Sequence, residues 1–257
     1  MTNKAKTVDC ICCWYDFLGF GQPFKDSNWD LTNEAAQISI NRILDESIVF
    51  HGSYSFSEKT TRFHCNDGIA TNYDLEKQKE DELQHLKIIT FLDGIITDYE
   101  SINRTDTNNG FPGVRGVLTA GHRLYCYDQV NMTELNDKVV AYHPKEFQLN
   151  TAFSKASIIE ETIHRGKIDG PVLYIDDALF SMLSNHGLVV TEKETDDSII
   201  FSVSNGSIDL YMQKEIIPYN NEDLRISTSL YKLQKKCSYI DRIYEFPLTP
   251  NYGNIED

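Results

Sequence analysis

The sequence predicts an α+β fold in which helices pack on one face of a mainly antiparallel sheet. Strand-like and helix-like segments alternate along the chain, and one long segment has helical periodicity. Between two extended segments lies Asn66-Asp67-Gly68, which is a strong hairpin signal. Because strands joined by a tight hairpin run antiparallel, a mainly antiparallel sheet is expected.

The first half of the chain supplies three extended segments and two helices. The extended segments are rich in Val, Ile, Phe, Tyr and Thr, whereas the helices carry apolar residues at a period close to 3.6. In chain order they are a strand at residues 8–15, a helix at 32–47, extended segments at 48–56 and 60–75, and a long helix at 76–104.

The second half continues the alternation. In chain order it contains a strand at residues 114–127, a polar connection at 131–142, a helix at 150–164, a short strand at 172–175, a short helix at 177–184 and a hairpin at 188–211. Residues 214–257 have no pattern that assigns them to an element. We therefore expect a core domain at residues 1–213 and a C-terminal extension at 214–257 that packs on it.

Composition limits the function classes. The chain has 257 residues, of which 40% are hydrophobic and 25% charged, as in soluble globular proteins. Its net charge of −15 argues against nonspecific nucleic-acid binding, which needs a basic surface. No apolar run reaches the roughly 18 residues of a membrane span, and the N-terminus lacks the apolar core of a signal peptide. With six scattered cysteines, these features predict a cytoplasmic protein with reduced thiols.

An aspartate ends the first strand. Asp16 follows the apolar run of residues 8–15 and precedes Phe17-Leu18-Gly19-Phe20. A desolvated carboxylate costs several kcal/mol unless it is paired or binds a metal. A divalent cation on oxygen ligands is the simplest partner. If the strand lies beside the hairpin, Asp16 and Asp67 share one sheet edge and could hold two divalent cations for phosphoryl chemistry.

Asp93-Gly94 is a rival for the second acid. The apolar period around it is helical, however, and a glycine within a helix costs only about 1 kcal/mol. Only 115 − 93 = 22 residues separate Asp93 from Arg115, whereas Asp67 leaves 115 − 67 = 48, enough for a helix, a loop and a strand. Asp67 is therefore the preferred partner of Asp16.

Four short motifs resemble the catalytic domain of class III nucleotidyl cyclases. They are Tyr15-Asp16-Phe17-Leu18-Gly19-Phe20, Asn66-Asp67-Gly68, Val114-Arg115-Gly116-Val117-Leu118-Thr119-Ala120-Gly121 and Leu149-Asn150-Thr151-Ala152-Phe153-Ser154-Lys155-Ala156. With Glu160 they are also similar to a bacterial branch that includes the pyrimidine cyclases of anti-phage defence. Asn66 stands where the family has glycine, and Ser154 stands where it has arginine. The resemblance covers roughly residues 8–210.

The resemblance implies a ferredoxin-like or palm core, a head-to-tail homodimer and two Mg²⁺ or Mn²⁺ ions per site. It assigns metal binding to Asp16, Asp67 and the backbone carbonyl of Phe17. It assigns phosphate binding to the turn at Gly19 and Phe20, with Arg115 in the same nucleotide site.

The remaining assignments concern the sugar, the transition state and the base. The resemblance implies that Asn150 orients the ribose. Because Ser154 stands where the family has arginine, the neighbouring Lys155 would supply the cation. Phe63 and His143 occupy the base-reading positions. An aromatic ring beside a histidine suits stacking with one or two hydrogen bonds, which resembles the pyrimidine cyclases more than adenylyl cyclases. The expected reaction converts UTP or CTP to a 3′,5′-cyclic nucleotide and pyrophosphate.

Other interpretations stay open at the level of sequence. Asp16 could be a turn or helix-capping residue, and Asp67 a plain hairpin residue. Lys155 could be a solvated helix residue and His143 a structural loop histidine. The chain could also be a palm-fold oligonucleotide synthetase, or a degenerate cyclase fold that senses nucleotides or binds proteins.

Overall fold

A computed structural model describes residues 6–49, 60–75, 82–125, 132–135, 138–142, 149–165 and 170–238. The strands are β1 (Lys6–Phe17), β2 (Thr60–Cys65), β3 (Gly68–Leu75), β4 (Val114–Tyr125), β5 (Met132–Leu135), β6 (Lys138–Tyr142), β7 (Leu173–Asp176), β8 (Val190–Glu194), β9 (Ser198–Val203), β10 (Ile208–Asn221) and β11 (Ile226–Ser238). The helices are α1 (Gln22–Asp26), α2 (Glu34–Val49), α3 (Glu82–Asn109), α4 (Thr151–Arg165) and α5 (Asp177–Asn185).

Nine strands form one sheet in the order β2-β3-β1-β4-β7-β11-β10-β9-β8. Every neighbouring pair is antiparallel except β4 and β7, which are parallel, and β5 and β6 form a separate hairpin. The first four strands, connected as β1-α2-β2-β3-α3-β4, have the order and directions of a ferredoxin-like unit. The predicted α+β class with a mainly antiparallel sheet is confirmed.

Helices cover both faces of the sheet, so the prediction of one covered face is wrong. The pleat of β1 explains why, since successive side chains point to opposite faces. One cluster contains Ile11, Cys13, Tyr15 and Phe17 together with side chains of α2, α3 and α5. On the opposite face, Trp14 packs in a cluster with α4, and Cys10 and Cys12 meet Ala152 of that helix.

Two segments contain strands that the sequence did not assign. The polar connection at 131–142 contains the β5–β6 hairpin. Residues 214–238 contain the end of β10 and all of β11, which pairs with both β10 and β7 in the central sheet. The pairing of β11 with β7, more than 50 residues earlier in the chain, cannot be read from the local sequence of β11.

The hairpin at Asn66-Asp67 and the helical position of Asp93 were predicted correctly. Asp93 lies within α3, and its carboxylate pairs with Lys236 of β11 at 2.5 Å. The predicted extended segment at 48–56 is not supported at residues 48 and 49, which end α2, and its remainder lies outside the described residues. None of the described helices combines the length and apolarity needed to cross a membrane.

Candidate functional site

Asp16 and Asp67 lie at the same end of the sheet. Asp16 is the penultimate residue of β1, where it pairs with Gly68 on one side and Arg115 on the other. The backbone N–H of Phe17 donates to the carbonyl of Asp67 at 2.8 Å, which ties the hairpin turn to the end of β1. Asn66 has φ +52°, a left-handed conformation that Asn tolerates better than most residues, so it can replace a turn glycine.

Both aspartates line one cavity of ≈ 500 Å³. Its other lining residues are Trp14, Cys65, Asn66, Phe153, Ser157, Glu160, Glu161 and His164. They come from the hairpin, β1 and one side of α4, because α4 runs along the face of the sheet toward which Asp16 points. The cavity therefore carries four carboxylates on three different elements.

The two aspartates are candidate metal ligands. Neither side chain accepts a hydrogen bond from the residues that the structure describes, and the nearest cation to Asp16 is Arg115 at 3.6 Å. Burial, together with the carboxylates of Glu160 and Asp67, raises the pKa of Asp16 to about 7. A divalent cation would offset both the burial and the repulsion, and Mg²⁺ and Mn²⁺ prefer such oxygen ligands.

The residues that the structure describes could bind a metal ion through carboxylates and a backbone oxygen, but they do not surround it with protein ligands on all sides. Within the described ranges no group of three or more His, Cys, Asp or Glu side chains is placed to hold a metal ion. Asp16 and Asp67 would supply the carboxylates, and Phe17 could add its carbonyl oxygen. Ions bound in this way keep water or substrate ligands, which suits Mg²⁺ in phosphoryl-transfer sites.

The predicted glycine turn is present. Gly19 has φ +73°, and the N–H of Phe20 donates to the carbonyl of Phe17 at 3.1 Å. That bond uses the Phe20 donor predicted for phosphate, and it occupies one of the two lone pairs of the Phe17 oxygen. The N–H of Gly19 has no hydrogen-bond partner among the described residues, so it is the donor in this turn that remains for a ligand.

Arg42 of α2 holds this turn from behind, a role that the sequence analysis missed. Its guanidinium donates to the carbonyl of Leu18 at 3.0 Å and to that of Gly113 at 2.9 Å. It also pairs with buried Asp106 at 2.6 Å and lies over the ring of Phe17. Nothing near Arg42 in sequence announces these contacts, since both partner segments lie more than 20 residues away along the chain.

Arg115 reaches the predicted site, but as part of a buried cluster. Its side chain donates through Nε to Glu160 at 2.8 Å and through Nη2 to the same carboxylate oxygen at 2.5 Å. Nη2 also lies 2.8 Å from Nδ1 of His164. The residue is 1% exposed and does not line the cavity itself, so its guanidinium lies behind two lining residues, Glu160 and His164. His164 was missed by sequence analysis, although it stands one helical turn after Glu160 on the same face of α4.

Asn150 lies at the opposite end of the same sheet face. Its Oδ1 accepts the N–H of Phe153 at 2.9 Å, which caps α4, and its Nδ2 donates to Asn72 at 2.9 Å. The side chain is 2% exposed and contacts Cys10. Since Cys10 precedes Asp16 by 16 − 10 = 6 strand residues, roughly 20 Å separate this end from the carboxylate pair. One chain therefore does not bring Asn150 and Asp16 together.

Lys155 faces a second cavity, of ≈ 630 Å³, between α5 and the β10–β11 hairpin. Its ammonium pairs at 2.5 Å with Asp176, which is fully buried and also accepts from Thr228. Ser154, at the position of the family arginine, donates to the backbone carbonyl of Asn150 at 3.0 Å. Neither side chain lines the cavity of Asp16 and Asp67.

The two base-reading candidates have different outcomes. Phe63 is half-buried on β2, and it pairs with Ala70, whose side chain faces the α4 side of the sheet. Phe63 therefore lies on the same face as the cavity. His143 lies outside the described residues.

Comparison with solved structures returns cyclases. The adenylyl cyclase CyaB from P. aeruginosa aligns with TM-score 0.48 and 11% identity, covering 90% of this chain and 96% of that chain. The guanylyl cyclase Cya2 aligns with TM-score 0.45 and 10% identity, over 89% and 93%. A bacterial light-regulated adenylyl cyclase aligns with TM-score 0.40 and 12% identity, over 81% and 93%. No family model matches the sequence, and no curated protein matches it.

Proposed function

We propose that this protein is a nucleotidyl cyclase that converts a nucleoside triphosphate to a 3′,5′-cyclic nucleotide and pyrophosphate. The observation that carries the proposal is the pair Asp16 and Asp67, which line one cavity at a sheet edge and accept no hydrogen bonds from the described residues. Mg²⁺ or Mn²⁺ bound there would neutralise the triphosphate and make the ribose 3′-hydroxyl a better nucleophile.

The residues of the chain would bind and orient the substrate around that pair. The N–H of Gly19 would donate to a phosphate oxygen, as backbone donors in tight turns commonly do. Arg42 would keep the turn in place through its bonds to the carbonyls of Leu18 and Gly113. Trp14 and Phe153, whose rings meet edge to face at 5.7 Å, form an apolar wall of the cavity.

A pyrimidine triphosphate, UTP or CTP, is the proposed substrate. Phe63, on the same sheet face as the cavity, offers a ring on which a base could stack. Purine cyclases often have a lysine or glutamate at this position, which bonds the purine edge, and Phe63 cannot make such a bond. The product would act as a second messenger, and the branch that the chain resembles uses such messengers in anti-phage defence.

A homodimer is proposed because the two halves of the site are far apart in one chain. The N-terminal end of α4, with Asn150, lies roughly 20 Å along the sheet from Asp16. A head-to-tail pair would place that end of one copy near the carboxylates of the other. In this arrangement Asn150 holds the N-terminal end of α4 in place. Lys155, on the same helix, is the candidate for the cation that stabilises the transition state.

Product analysis tests the proposed reaction. The purified protein is incubated with ATP, GTP, CTP or UTP and Mn²⁺, and the products are resolved by mass. Cyclic UMP or cyclic CMP with equimolar pyrophosphate is expected, and Asp16→Asn and Asp67→Asn should abolish it. Asp93→Asn is the matched control, because Asp93 lies in α3 away from the cavity and should keep activity. Linear or dinucleotide products would support an oligonucleotide synthetase.

A second candidate is a nucleotide sensor without turnover. It is favoured by Ser154 and Lys155, since the first is bonded to its own helix and the second is paired with Asp176. Saturable binding of a nucleoside triphosphate with no pyrophosphate release would support this candidate. Mixing inactive Asp16→Asn with Lys155→Met/Asp176→Asn, in which no buried carboxylate is left unpaired, separates the two, because a cyclase dimer with shared sites should recover partial activity.

A further inference from the structure

Arg115 lies beside a carboxylate that it does not hydrogen-bond. Its Nη2 is 3.6 Å from Oδ2 of Asp16, which is an ion-pair distance but longer than a hydrogen bond. The same nitrogen is 2.5 Å from Glu160 and 2.8 Å from His164. Directed bonds to Glu160 and His164 therefore tie the guanidinium to α4, although Asp16 is the neighbouring residue across the β1–β4 ladder.

The bond to His164 has a defined direction. Arginine has donors and no acceptor, so Nδ1 of His164 must be the accepting atom. Glu160 and His164, one turn apart on α4, together present two acceptors to one guanidinium.

We propose that Glu160 and His164 are positioning residues that hold Arg115 back from Asp16 and so keep Asp16 open to a divalent cation. Without them, Arg115 would swing toward Asp16 and form the bidentate pair that arginine and carboxylates favour. Such a pair would compete with the metal for the same oxygens. This inference rests on the proposed metal site of Asp16 and Asp67.

The alternative is that Glu160 acts only through its charge. A carboxylate in the cavity attracts a divalent cation wherever Arg115 points, and its removal would weaken metal binding by that route alone. The two explanations differ once Arg115 is absent. Restraint of Arg115 then has no effect, whereas the loss of negative charge still does.

A double-mutant cycle separates them. Mn²⁺ affinity is measured by electron paramagnetic resonance of free Mn²⁺ for wild type, Glu160→Gln, Arg115→Met and the double variant. We expect Glu160→Gln to weaken binding by about tenfold, as is common when a residue that supports a metal ligand is lost. In the Arg115→Met background, Glu160→Gln should change the affinity by less than about threefold, because there is no arginine left to restrain. A similar loss of affinity on Glu160→Gln in both backgrounds, or no effect of Glu160→Gln on wild type, would overturn the inference.

His164 provides a second test that does not remove a buried charge. His164 is exposed, so its replacement should leave the fold intact, which circular dichroism checks. His164→Leu should weaken Mn²⁺ binding, whereas His164→Asn, which keeps an acceptor near the position of Nδ1, should restore it. Equal affinities of the Leu and Asn variants would contradict the role of this acceptor.

Mn²⁺ binding by the wild-type protein distinguishes failure of the proposed metal site from failure of the positioning role. If the wild-type protein binds no Mn²⁺, the proposed metal site fails and this inference fails with it. If wild type binds Mn²⁺ and the cycle shows no coupling between Glu160 and Arg115, only the positioning role fails.

Discussion

Neutralising Asp16 should stabilise the metal-free protein, and increasingly so as pH rises. Burial and the carboxylates of Glu160 and Asp67 raise the pKa of Asp16 from 3.8 to about 7. A carboxyl with a raised pKa in the folded state costs no stability below its unfolded pKa. The cost grows as pH rises between the two values and is complete above the folded one. Asp16→Asn removes this cost while keeping the size of the side chain.

The magnitude follows from the interval that is titrated. Between pH 5 and the folded pKa of about 7, two pKa units at 1.36 kcal/mol each give roughly 2–3 kcal/mol. The side chain is 19% exposed, so solvent screening takes only a modest part of this. The advantage of Asp16→Asn over wild type should therefore be larger at pH 8 than at pH 5 by roughly 2 kcal/mol.

Urea unfolding at pH 5, 6, 7 and 8 in EDTA measures this difference directly. Asp26→Asn is the control for removing one carboxylate, because Asp26 is an exposed acid on α1 that does not line the cavity. Adding Mn²⁺ at pH 8 should stabilise wild type and leave Asp16→Asn unchanged, since ligands that bind only the folded state stabilise it. A pH-independent gap between Asp16→Asn and wild type would refute the raised pKa.

Three further predictions concern the parts that position the site, and thermal or urea unfolding checks each. Arg42→Met should lower the free energy of unfolding by about 3–5 kcal/mol, since it leaves a buried aspartate unpaired. A loss under about 1 kcal/mol would contradict the role of Arg42 in holding the turn. Gly121→Ala should cost about 1–3 kcal/mol, because its Cβ would lie 2.8 Å from the backbone of α4, whereas Gly21→Ala meets nothing within 4 Å and should be nearly neutral. Lys155→Met should cost about 3–5 kcal/mol, and adding Asp176→Asn should recover part of it; if it recovers none, the pair is not the cause.

The sequence predicted those parts of the fold in which local signals are strong. The hairpin at Asn66-Asp67 was predicted because turn residues separate two β-rich runs, and α3 because its apolar period spans many turns. Strand β11 was missed in part because it pairs with β7, which lies more than 50 positions earlier in the chain. Local sequence does not encode such partners.

The candidate site shows the same division. Asp16, Asp67 and Gly19 could be predicted because each stands in a short motif at the end of a strand. Contacts made through tertiary packing were not accessible in this way. They include the bond of Arg42 to Leu18 across 24 positions and that of Arg115 to His164 across 49. The burial of Asn150 was also missed, because a motif names a residue type and not the direction of its side chain.

Because both faces of β1 are packed, insertions and deletions within this strand should be poorly tolerated. Along the strand, alternate residues serve the α3 face and the α4 face, ending with Asp16 toward the cavity and Phe17 toward the core. A deletion or insertion of one residue upstream of Asp16 would shift the register and exchange these two side chains between the faces. A point substitution within β1 changes the packing of only one side chain. A change of one residue in length would instead bury a carboxylate in the core and expose an aromatic ring in the cavity. We therefore expect variants selected for folding to tolerate mixed apolar residues in β1 while keeping its spacing to Asp16 fixed.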